Sequence, residues 1–339
     1  MIDSSRPQTN SEMAIGYNIY ADKLLMPEQR MEHEAAIDLA YIKEHSQEWP
    51  TYLEDKIENN DVTLVGEAHT PLAIEKRAVA AVLGVARERG LTDVGLEIDE
   101  SHQPYIDSFM RTGKFVDTDD PGEYDQADKM LELQLAFTAD QSVQNYNAMQ
   151  EFEAAHKHNF LFSSGGAMLQ GQFDMLRSCR EQGLAVHCLD RKIPPPSDDV
   201  EDIEEYRARE EARRDEEMYA KGKNIVKNGD RKLLVVVGAA HVATGAREHT
   251  NAGDLFAADQ TVRSARLFME RDTEHDPHMT GFAKQHSIDG ENLALNSALY
   301  SGLKGAGINN VGFDLTPDIL TPDGPNLAAP PPFDGYIAL

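Results

Sequence analysis

Residues 233–245 read Leu-Leu-Val-Val-Val-Gly-Ala-Ala-His-Val-Ala-Thr-Gly, and this stretch decides the fold class. The consecutive aliphatic residues Leu233–Val237 have no polar interruption. That predicts a strand buried on both faces, the habit of a parallel sheet covered by helices on each side. A half-exposed strand would alternate apolar and polar residues instead. The run ends on Gly238, and His241 follows shortly after, so an apolar segment delivers an ionisable ring just past its carboxyl end.

Working outward, Val62–Val65 and Val94–Ile98 are further strands, as are Phe160–Ser163 (followed by a Gly165–Gly166 turn), Leu184–Leu189, Val311–Phe313 and Tyr336–Leu339. Between them, helices are predicted over Pro71–Arg89, which starts on a proline and stops at Gly90, and over 124–157, 168–182, 202–227 and 291–305. Strand followed by helix, repeated, implies an α/β fold: a mostly parallel central sheet with helices on both faces. Residues 1–55 read as a polar tail and a helix. Residues 56–339 read as a single α/β domain, interrupted at about 246–290 by an irregular stretch rich in Asp, His and Thr that would form an insertion or lid. In such sheets ligands bind at the carboxyl ends of the strands, which tells where to look for chemistry.

Composition narrows the function classes. A net charge of −27 argues against nucleic acid and anionic membrane surfaces as partners, because both demand basic patches. No apolar run approaches the roughly 20 residues that span a bilayer. Residues 1–20 lack the basic, apolar and small-residue order of a secretory signal, so the expected location is the cytoplasm or export by a specialised route. Cys179 and Cys188 form no disulfide framework or zinc knuckle and read as small buried apolar residues.

The chemistry concentrates at the strand ends. Val62–Val65 runs into Gly66-Glu67-Ala68-His69, Val94–Leu96 into Glu97, and Leu233–Val237 into Gly238-Ala239-Ala240-His241. Taken singly, each has a structural explanation: Glu67 could begin a helix cap, Glu97 could pair with an arginine, and either histidine could be a satisfied core residue. Burying ionisable groups costs several kcal/mol unless they are paired or functional, and here the same feature recurs on strand after strand. The charged helix before Leu233 offers Arg207, Arg209, Arg213 and Arg214 beside Asp215, and spacing alone does not choose among these arginines. His156 and His158 read as a surface pair. His275, His278 and His286 lie in the insertion and could form a second metal site or reach over the pocket. His102 and Tyr105, just past Glu97, are conceivable haem ligands.

The segments GEAH at 66–69, VGLE at 94–97, RDEEM at 214–218 and VVVGAAHVATG at 235–245, in this order and strand context, resemble the superfamily of erythromycin esterases, ChaN-like haem-binding proteins and TIKI, TraB and GumN proteins. The resemblance covers residues 60 to 245. It implies a helical layer over the site, and it selects Arg214 from its neighbours through Asp215 and Met218.

Three activities are then expected. The first is a hydrolase acting on a small-molecule or peptide substrate. His69 or His241 takes a proton from water, Glu67 and Glu97 orient it, and Arg214 steadies the developing oxyanion. It runs either without a metal or with a divalent ion (Mn, Zn or Co) on Glu67, His69, Glu97 and His241. No Gly-x-Ser-x-Gly elbow is present, so a serine nucleophile is not expected. The second is a haem-binding protein of the ChaN kind. The third is a bacterial effector delivered into a host cell.

Overall fold

A computed structural model describes residues 37–67, 74–115, 142–155, 168–191, 203–243, 249–271, 298–316 and 333–339, with positions 129, 132–133, 136 and 193. Its centre is one eight-stranded sheet: β1 (Gln47–Glu48), β2 (Val62–Glu67), β3 (Asp93–Asp99), β4 (Ala185–Asp190), β5 (Leu233–Gly238), β6 (Ser264–Glu270), β7 (Val311–Asp314) and β8 (Gly335–Ala338), in the spatial order β1-β7-β8-β6-β2-β5-β3-β4. The run from β4 through β3, β5, β2 and β6 to β8 is parallel; β7 and β1 add antiparallel at one edge.

The helices are α1 (Leu39–His45), α2 (Trp49–Asn59), α3 (Ile74–Glu88), α4 (Gln103–Thr112), α5 (Val143–Ala155), α6 (Met168–Gln182), α7 (Ile203–Val226), α8 (Ala252–Ala258) and α9 (Ala298–Gly305). Successive residues of β5 divide between two cores. Leu234 and Val236 point to a core shared with Leu53 and Ile57 of α2, Val79 and Leu83 of α3, and Phe173 and Leu176 of α6. Leu233, Val235 and Val237 point to the other, with Met218 of α7, Phe256 of α8 and Leu303 of α9. Every residue of β5 is buried, as its apolar run requires. Each such Val or Leu contributes about 1.5–3 kcal/mol relative to exposure. The expected α/β architecture, mostly parallel with helices on both faces, is what forms.

The structure departs from the expected elements in specific places. Within the stretch expected to be irregular, residues 252–258 form α8, and residues 264–270 form β6, an inner strand between β2 and β8. The pattern was hidden by Arg266, a guanidinium inside a buried strand. Asp334, just ahead of β8, compensates it through Nη2 at 2.8 Å. Helix α2 runs across positions 55 and 56, where a boundary was expected. The expected strand Phe160–Ser163 and its glycine turn, His156 and His158, and His275, His278 and His286 all lie outside the described residues, as does most of the layer expected over the strand ends.

Candidate functional site

The parallel strands end together, and their last residues set the polar surface of the sheet's carboxyl edge. Glu97 sits where β3 changes register against β4, between the pairs Leu96–Cys188 and Asp99–Asp190. Such an irregularity re-aims a side chain that a regular ladder would keep in line. Beyond β5, the chain makes a tight turn at Ala239–His241. The Gly238 backbone N–H donates to Glu97 Oε2 at 2.8 Å, so the turn and β3 share a hydrogen bond. A side-chain carbon on Gly66 would stand 3.0 Å from Ala239 Cα. The glycine of the first motif therefore lets the turn of the second pack directly against it.

Arg214 is the arginine of α7 that turns inward. Its Nε donates to Asp190 Oδ1 at 2.5 Å and its Nη2 to Asp190 Oδ2 at 2.7 Å and Glu97 Oε1 at 2.9 Å, while Nη1 reaches Glu211 Oε2 at 3.2 Å. Its neighbours Arg209 and Arg213 have side chains 65% and 61% exposed, against 14% for Arg214. Burial works against the Arg214 charge, but the hydrogen-bonded Asp190 and the fields of Glu97 and Glu211 outweigh it and hold its pKa above the ordinary value.

His241 occupies the centre, 2% exposed. Its Nδ1 is 2.7 Å from Asp215 Oδ1, and its Nε2 is 3.4 Å from Glu97 Oε1. Burial disfavours the imidazolium, yet the hydrogen bonds and charges of Asp215 and Glu97 prevail, and the pKa is pushed up to about 9. His241 therefore carries a proton at neutral pH. A ring protonated at neutral pH can donate a proton or stabilise negative charge. The two contacts are also unequal. Nδ1 is held at hydrogen-bond distance, whereas the Nε2 contact is long.

Glu67, expected to orient a histidine, ends β2 fully buried and forms an ion pair through Oε1 with Lys76 Nζ of α3, also buried. His69 lies outside the described residues. Of the expected metal set, Glu67 holds the Lys76 ammonium, while His241 Nε2 stands 3.4 Å from Glu97 Oε1 with its Nδ1 on Asp215. Among the described residues no group of three or more His, Cys, Asp or Glu side chains could hold a metal. His102 and Tyr105 stand at the turn before α4 and in its first turn, rings 6.4 Å apart, with Tyr105 packed against the apolar core. Cys179 and Cys188 are buried free thiols whose pKa burial pushes up to about 12, which removes them as nucleophiles.

Sequence reasoning missed two members of this cluster. Asp190 ends β4 with the same signature, an apolar strand delivering a carboxylate, and could have been found by it. His249 Nε2 is 2.9 Å from Asp215 Oδ2, and no sequence pattern singles it out.

No family model matches the chain, and no curated protein is similar to it at a significant level. Among solved structures, the chain is similar to the type III effector HopBA1, with 13% identity and a TM-score of 0.40 over 67% of this chain and 84% of that one. It is also similar to RRSP, a MARTX toxin effector domain from Vibrio vulnificus CMCP6, with 16% identity and a TM-score of 0.35 over 67% of this chain and 36% of that one. A protein from Bacillus cereus is similar at 13% identity and a TM-score of 0.34, over 78% of this chain and 76% of the other. No described helix is long and apolar enough to cross a membrane.

Proposed function

We propose that the carboxyl-edge cluster is the active centre of a hydrolase cleaving an ester or amide bond in a small-molecule or peptide substrate. The observation that carries this reading is the geometry around Glu97 Oε1. The Arg214 guanidinium at 2.9 Å and the His241 ring at 3.4 Å, two cationic donors, converge on this one oxygen at the end of buried parallel strands. A substrate oxygen that displaces Glu97 there would meet the Arg214 and His241 donors in a water-poor setting, where such stabilisation is strongest. Asp215 fixes His241 through Nδ1, so the proton on Nε2 is the one to be given to a leaving group.

His69 supplies the other half of the proposed reaction, as the group that takes a proton from water. Its support is positional. Gly66 pairs with Val237 and Glu67 with Gly238 across β2 and β5, so the two Gly-x-x-His motifs leave the sheet from adjacent strands, offset by one residue. With His241 as the proton donor and His69 as the proton acceptor, the pair divides the two proton transfers of the reaction. The carboxylates Asp190, Glu97, Glu211 and Asp215 keep Arg214 and His241 charged.

The test is turnover of 4-nitrophenyl acetate and 4-nitroacetanilide by protein purified without chelator and analysed for bound metal. His241→Ala and His69→Ala should each lower kcat by about 10²–10⁴-fold with the fold intact by circular dichroism. Equal turnover in the wild type and both variants would refute the reading. Stoichiometric Mn, Zn or Co, with activity lost on chelation, would restore the metal-dependent form.

A further inference from the structure

We propose that His249 is a positioning residue for His241, acting through the carboxylate of Asp215 clamped between the two imidazoles. The inference rests on the active-centre reading above for its purpose, but its geometry stands independently.

Asp215 is fully buried on α7, and its two oxygens do different work. Oδ1 accepts from His241 Nδ1 at 2.7 Å and from the Ala252 backbone N–H at 3.2 Å; Oδ2 is 2.9 Å from His249 Nε2. A carboxylate anchored through one oxygen can still rotate about its Cβ–Cγ bond. Anchoring the second oxygen fixes its plane, and here that plane aims Oδ1 at the His241 ring. Through that bond Asp215 fixes how the ring is turned and keeps a proton on Nδ1 when Nε2 gives its own away, the service that carboxylate partners give to working histidines elsewhere.

The fold holds both histidines to one frame. Asn251 caps α8 with a reciprocal pair of bonds to Asp254, and its side-chain N–H groups donate to Ala243 O at 2.6 Å and Ala240 O at 3.3 Å, the backbone on either side of His241. A side-chain carbon on Gly253 would stand 2.2 Å from the Val242 carbonyl oxygen, so the start of α8 packs tightly against the turn that carries His241. His249, two residues before the cap, is therefore placed relative to His241 by the same contacts. The charged groups around the pair are Asp215, Arg214 and Glu211 from α7, Glu97 from β3, and Asp190 from β4 behind Arg214. Asp254 of α8 faces Asn251 and, at 3.8 Å, Arg266 of β6. The His249 side chain is 19% exposed against 2% for His241, which places it at the border between the buried centre and solvent.

The experiment reads the His241 Nδ1–H proton by NMR in protein labelled with ¹⁵N only at histidine, and needs no substrate. The wild type should show this proton strongly deshielded and slow to exchange. His249→Ala should abolish or broaden it, and His249→Gln, which restores one N–H donor toward Asp215, should recover it. In the wild type, the His249 Nε2–H facing Asp215 should itself be deshielded and slow to exchange, a result that requires no variant to fold. An unchanged His241 signal in folded His249→Ala, or a His249 Nε2 with no exchange-protected proton in the wild type, would overturn the proposal. If turnover of the nitrophenyl substrates is absent while the NMR result holds, the hydrolase reading fails and the clamp stands.

Discussion

Opposite ends of the same three strands carry the same trio of residue types, put to opposite use. At the amino ends of β3, β4 and β5, Asp93 is fully buried, with His187 Nε2 at 2.6 Å, Arg231 Nε at 2.7 Å and Thr92 Oγ1 at 2.6 Å. The cations there face outward, with His187 and Arg231 side chains 26% and 39% exposed. At the carboxyl ends the order is inverted: the histidine is buried at 2%, and Asp215 and Glu97 enclose it beside Arg214. Burial alone would push the Asp93 carboxyl upward, but hydrogen bonds from His187, Thr92 and Arg231 outweigh it and hold the pKa below 3.8. The same contest at the other pole raises His241 to about 9. A buried anion stitched by exposed cations is a fastening. A buried cation held by carboxylates under a strand edge is the arrangement proposed above for chemistry, and that asymmetry is the reason the proposal takes one pole and not the other.

The comparison can be broken most forcefully at Asp215. Asp215→Asn leaves a buried imidazolium without its closest counter-charge and should cost about 3–5 kcal/mol in urea unfolding, while drawing the His241 pKa back toward 6.5. Asp93→Asn removes charge-assisted bonds to partners that can reach water, so the expected loss is smaller, about 1.5–3 kcal/mol, with turnover of the nitrophenyl substrates unchanged. A loss of turnover there comparable to His241→Ala would erase the distinction between the poles.

The two poles should also fail at opposite ends of the pH scale. His241 has a raised pKa, so its contribution to stability is complete below 6.5 and is lost as pH rises through about 9. Asp93 has a lowered pKa, so its contribution is present above 3.8 and is lost as pH falls through the lowered value. Thermal melts across pH should show His241→Ala flattening the alkaline limb and Asp93→Asn the acid limb; the reverse assignment would contradict the account. Smaller still, Arg213→Ala on the exposed face of α7 should change stability by less than about 0.5 kcal/mol and leave kcat intact, whereas Arg214→Ala one residue on should lower kcat.

Much of this contrast was legible in the chain because strand ends are punctuated by chemistry. The uninterrupted Leu233–Val237 run announced a strand buried on both faces, and the residues after it named His241. Glu97 and Arg214 meet at 2.9 Å although they lie on a strand and a helix far apart in the sequence; the first was read from its strand context, the second from the resemblance. What escaped was long-range compensation. Arg266 masked β6 because its partner Asp334 lies outside any local window, and the ion pair of Glu67 with Lys76 of α3 carried no local pattern. His249 escaped for the same reason, since only the packing of α8 against the turn brings it to Asp215.

The most direct measurement is the protonation midpoint of the His241 ring, read from its ¹⁵N chemical shifts between neutral and strongly alkaline pH. The account predicts an imidazolium at neutrality with a midpoint near 9. A ring that is already neutral at pH 7, titrating at or below the ordinary 6.5, would contradict it.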